Sequence, residues 1–140
     1  MSTTDPPLRQ IVEDALARHP GPATDSALRL WRKLAPELIT IIGDLGFDAL
    51  YARSIRLARL QHPWIRQDVV ALKSDDIFVP LQQSLQAQDA AQAAQASLAL
   101  FMIFFDKLAS LIGEALTKHL LRSAWSQETS DIRGENFNDE

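Results

Sequence analysis

Between Asp89 and Trp125 the chain reads DAAQAAQASLALFMIFFDKLASLIGEALTKHLLRSAW, a segment without proline and rich in alanine, leucine and glutamine. Those residues lose little conformational freedom in a helix. Asp89 followed by Gln92 is a capping-box pattern, each side chain placed to satisfy a backbone N–H at the helix start. In steps of three and four, Leu98, Phe101, Met102, Phe105, Leu108, Ala109, Ile112, Leu116 and Leu120 fall on one face. Leu100, Phe104 and Leu111 lie off that face, so around Leu98 to Phe105 the helix is apolar on nearly every side. Such a helix has to be covered from several directions. The expectation is one long helix over 89–125, the central post of an all-α, single-domain bundle of about five helices. If the chain's own short helices do not cover Leu100, Phe104 and Leu111, a second copy would, through a symmetric interface.

Composition narrows the function classes. The net charge of −4 argues against a general nucleic-acid binder, which is usually basic. Cysteine is absent, which removes disulfides, thiolate nucleophiles and cysteine-based metal sites. The start, MSTTDPPLRQ, has no apolar signal-peptide core, and the longest purely apolar run, Leu98 to Phe105, is far short of the roughly 20 residues that span a bilayer. A soluble, cytoplasmic protein is expected, with no membrane partner.

The organisation ahead of the long segment follows from its breakers. Residues 1–5 are expected to be disordered, 6–125 to form the helical domain, and 126–140 to be an acidic tail without order. Pro6 and Pro7 sit where a helix begins, and Leu8, Ile11, Val12, Ala15 and Leu16 give it an apolar face. His19-Pro20-Gly21-Pro22 ends it. A second helix starts at Thr24 or Asp25, and Pro36 on its polar side suggests a bend rather than a break. Gly46 is the candidate left-handed residue between that helix and a third, Phe47 to Gln61, which His62-Pro63 stops. Residues 64–73 read as a short helix, and another short element is expected around Leu81 and Leu85. The glutamine- and alanine-rich run 82–95 reads as exposed helix surface. KLAPELITIIGDLGFDALYARSI and KLASLIGEALTKHLLRSAW share Lys-Leu-Ala, Ile-Gly-acid and Arg-Ser in order. The spacing of the three does not hold, and helical composition alone can produce such an echo.

Candidate chemistry is sparse. His19 and His62 each precede a proline at a helix end, where a histidine serves the last carbonyls. His119 lies near the inner face of the long helix and reads as a half-buried, hydrogen-bonded residue. No His-x₂₋₃-His or Glu-x-x-His pair supports a metal site, and no globin-like pattern supports haem. Ser54, Ser110 and Ser123 lack a strained nucleophile turn. Asp106 and Glu114 read as a solvated face rather than an acid–base pair. No cofactor is expected.

The strongest lead is an arginine stripe. Arg53, Arg56 and Arg59 recur every three residues, Arg66 follows beyond Pro63, and no acid interrupts Leu50 to Gln67. Grouped guanidinium groups take carboxylates or phosphates bidentately. A solvated face is the plainer alternative, and the base-reading Asn, Gln, Ser and Thr of a DNA-recognition helix are missing. The expected function is a non-enzymatic protein–protein interaction or regulatory module, homodimeric, with Arg53, Arg56, Arg59 and Arg66 contacting the partner and Leu100, Phe104 and Leu111 self-associating. A small-molecule sensor with an apolar pocket is the alternative, and a DNA-binding regulator using the arginine helix a weaker one.

Overall fold

The computed structural model contains α1 (Leu8–Arg18), α2 (Ala23–Ala58), α3 (Val79–Gln86), α4 (Ala90–Ile112) and α5 (Glu114–Phe137), and no strand among the described residues. Residues 7–18, 22–66 and 77–137 are described, with side chains as far as Trp125. The chain is all-α, as its periodicity requires. The expectation for residues 1–5 lies outside the described residues, as does most of the helix expected over 64–73, whose first three residues, 64–66, are not helical.

Two glycines set the arrangement. Gly43 has φ 83° and ψ 162°, and Gly113 has φ 94° and ψ 150°. That region is essentially closed to residues with a Cβ. The chain doubles back at both. The rings of Trp31 and Tyr51 meet at 5.3 Å, although in an unbroken helix they would stand about 30 Å apart. Phe101 and Trp125 meet at 5.7 Å across the second corner, where a straight helix would separate them by about 36 Å. Gly43 therefore divides α2 into α2a (23–42) and α2b (44–58), and α4 and α5 form a second hairpin.

Several expectations are corrected by these corners. The single helix over 89–125 is two helices, because Gly113 interrupts it. The left-handed residue is Gly43 rather than Gly46, which lies inside α2b with an ordinary φ. Pro36 is accommodated on the exposed side of α2a without a break. The tail expected to begin after Trp125 is helical as far as Phe137; no proline interrupts it. Other expectations hold. Asp89 caps α4, its carboxylate accepting from the Gln92 N–H at 2.8 Å, and α3 buries Leu81 and Leu85.

The sequence echo takes on a different meaning when aligned on the two corners, 70 residues apart. From Leu34 to Leu45 and from Phe104 to Ala115, burial matches position by position. Identical pairs at this offset include Leu30 and Leu100, Leu38 and Leu108, Ile42 and Ile112, and Leu50 and Leu120. Thr40 donates to the Pro36 carbonyl at 2.9 Å as its counterpart Ser110 donates to Asp106 at 3.2 Å. The short helix α3 precedes α4 as α1 precedes α2a. Among the described residues the helices fall into two matching units of three, and Trp31 stacks at 4.4 Å on its own counterpart, Phe101.

Both units point the same way. The Phe47 and Phe104 rings are 5.7 Å apart. With Trp31 level with Phe101, that contact leaves about 8 Å along the axis for the two side chains to close if α2a and α4 run in one direction, and about 16 Å if they are opposed. Only the first is within reach, so both glycine corners sit at one end of the bundle. The core between the hairpins holds Trp31, Phe47, Phe101, Phe104 and Phe105, each fully buried, in offset and edge-on pairs that aromatic quadrupoles favour. On length and composition α4 is the one described helix able to cross a membrane. Here Leu100, Phe101, Phe104, Phe105 and Leu108 of α4 are enclosed by the protein's own helices.

Candidate interaction surfaces

The arginine stripe divides in two. Arg53 and Arg56 are exposed on α2b. Arg59, half-buried, turns inward instead: its Nε donates to the Ile65 carbonyl at 2.8 Å and its Nη2 to that of Pro63 at 3.4 Å. The guanidinium thereby closes the turn that follows α2b. Arg66 is also engaged with its own chain. Its backbone N–H donates to Ser84 Oγ and its Nη1 to Gln83 Oε1, both at 2.9 Å, tying the segment after the turn to α3. Arg53, Arg56 and Arg66 are exposed, but Arg66 is engaged with α3, which leaves Arg53 and Arg56 as the exposed pair on α2b.

A second cationic group, which sequence reasoning did not single out, lies on α2a. Arg29, Arg32 and Lys33, with Asp25, Leu28 and Gln82, line an open cleft of about 390 Å³ between α2a and α3. Helical spacing alone puts these three cations on neighbouring turns; what it does not reveal is that Gln82 of α3 borders the same cleft. Arg32 and Arg53 stand eleven and ten residues either side of Gly43, so the hairpin sets them at the same height, roughly 16 Å from the corner.

The self-association set is also split. Leu100 and Phe104 are wholly enclosed by the chain's own helices, since the second hairpin partner created by Gly113 and the opposing unit supply the cover that one long helix would have lacked. They have no surface to offer a second copy. Leu111 is 66 % exposed, and Ile41, Leu45 and Leu116 are 45, 83 and 39 % exposed. All four flank the glycine corners.

The other candidate residues among those described either face solvent or make short-range contacts. His119 is exposed rather than half-buried, and His62 packs edge-on against Trp64 at 5.6 Å. His19 lies outside the described residues. Ser54 and Ser110 donate to carbonyls one turn back, and Glu114 pairs with Lys118 at 3.4 Å. No group of three or more metal-binding side chains gathers among the described residues. Trp31 Nε1 and Ser97 Oγ are buried without a hydrogen-bond partner, an arrangement that costs stability. No family model, curated protein or solved structure matches the chain.

Proposed function

We propose that the protein is a non-enzymatic, cytoplasmic helical interaction module that docks an acidic protein surface on its basic flank. The observation supporting this most directly is the cleft lined by Arg29, Arg32 and Lys33, with exposed Arg53 and Arg56 at the same height on the returning segment. Guanidinium groups on a rigid helix meet carboxylates bidentately, and clustered cations raise the rate at which an acidic partner is captured. Among the described candidate residues a nucleophile, a base and an orienting group do not come together, which supports the non-enzymatic reading. With Leu100 and Phe104 enclosed, Leu111 alone of the three expected self-association residues is exposed, and the working unit in this reading is a monomer.

The test is capture from extract with the wild-type protein and the variant Arg32→Glu/Arg53→Glu/Arg56→Glu, compared quantitatively. Loss of a defined acidic partner from the variant, with helicity unchanged, is the expected result. Equal recovery by both proteins defeats the reading. Salt-dependent retention of duplex DNA, lost in the same variant, would move it to nucleic acid, where several phosphate contacts give a steep slope.

A further inference from the structure

The end of the bundle that carries both glycine corners is chemically unlike the basic flank. Four large apolar side chains are exposed there, Ile41, Leu45, Leu111 and Leu116. Ile41 and Leu111 are counterparts in the two units, each two residues before its glycine, so both halves contribute exposed apolar side chains to this end. Its surroundings are acidic. Residues 37–48 contain Glu37, Asp44 and Asp48 and no cation, while 106–114 contain Asp106 and Glu114 with the single Lys107. Asp44, Asp48, Asp106 and Glu114 are exposed, and Lys118 is held to Glu114.

A cluster of exposed apolar side chains rimmed by one sign of charge selects its occupant. A second copy brought tip to tip would set two acidic rims against each other. An anionic lipid surface would meet the same repulsion. A helix with an apolar stripe flanked by lysine or arginine satisfies both features at once: leucine-sized side chains cover the patch, and the flanking cations meet the rim. We propose that the glycine-corner end is a docking surface for a basic amphipathic helix of a partner protein, separate from the basic flank and opposite to it in charge.

The probe is a synthetic eighteen-residue helical peptide of leucine and lysine, with a control in which glutamate replaces every lysine, titrated into the full-length protein by NMR and calorimetry. Binding of the lysine peptide alone is expected, with shift changes centred on residues 39–48 and 109–117. Leu45→Ser/Leu111→Ser should weaken it at least tenfold. Both side chains are largely exposed, so the circular dichroism and melting curve of that variant should match those of the wild type. Asp48→Asn/Asp106→Asn should weaken it severalfold and flatten its salt dependence, whereas Arg53→Glu/Arg56→Glu should leave it unchanged. Equal binding of the glutamate peptide, shift changes elsewhere, or no binding would each overturn the proposal. So would a dimer by light scattering that Leu45→Ser/Leu111→Ser dissolves, since a second copy would then hold the surface.

Discussion

Ser97 and Ala27 occupy the same position in the two units, and both are buried. Ser97 carries a hydroxyl with no partner, a desolvation cost that alanine lacks. Its counterpart already demonstrates that a methyl group fits the equivalent site. Ser97→Ala is therefore expected to stabilise the protein by about 1 kcal/mol in urea denaturation; a loss of stability would mean the hydroxyl has a partner in solution. Arg59 makes the opposite case. Its guanidinium holds two carbonyls of the turn after α2b, and Arg59→Ala should cost about 1–2 kcal/mol, within the range for charge-assisted hydrogen bonds at a partly exposed site. Lysine cannot span both acceptors with one fixed fork, so Arg59→Lys should recover little. Full recovery by lysine would show that charge alone matters there. Nothing in the arginine spacing separates Arg59 from Arg53, because that difference arises from the turn at 59–65 and the carbonyls it turns inward.

At the scale of elements the corners carry the largest consequences. A Cβ at Gly43 or Gly113 would meet no atom within 4 Å, so the cost of substitution is backbone strain alone. Gly113→Ala should lose about 1–3 kcal/mol, while D-alanine, introduced by ligation of synthetic segments, should restore most of it. If L- and D-alanine are equally tolerated, the corner conformation is wrong. The helices themselves were legible: the Asp89 cap and the Leu81–Leu85 element follow from residue type and period. The inner face of α4 was not: Leu100 and Phe104, read as lying off the main stripe, are fully buried, while Leu98, Met102 and Ile112 are only partly so. The Gly113 corner was not, for a physical reason. Both arms of a hairpin face one core, so buried Leu108 and Leu120 keep the helical period across the break, and Ile112 and exposed Leu116 between them prolong the apolar pattern as though the helix were unbroken. Gly46 was the expected left-handed residue, and only the backbone places the corner three residues earlier, at Gly43. The repeated Ile-Gly-acid triplet held the available signal, hidden because the flanking Lys-Leu-Ala and Arg-Ser matches fall at other offsets.

For the whole molecule, neither unit encloses its own aromatic residues. Trp31 of the first unit lies against Phe101 and Phe104 of the second, and Trp125 of the second donates its Nε1–H to the Leu30 carbonyl of the first at 3.1 Å. The units should therefore unfold together, with one transition shared by circular dichroism and hydrogen exchange and with amides of residues 30–38 and 100–108 exchanging slowest. Two separated transitions would mean that each half is stable by itself. The stacking of Trp31 on Phe101 has an optical consequence. An indole sealed between the two halves emits at short wavelength and contributes to near-ultraviolet dichroism only while its neighbour holds it still, whereas half-buried Trp64 senses water throughout. A red shift in fluorescence that precedes loss of the helical signal would record the halves parting before either one melts, with no added dye or label.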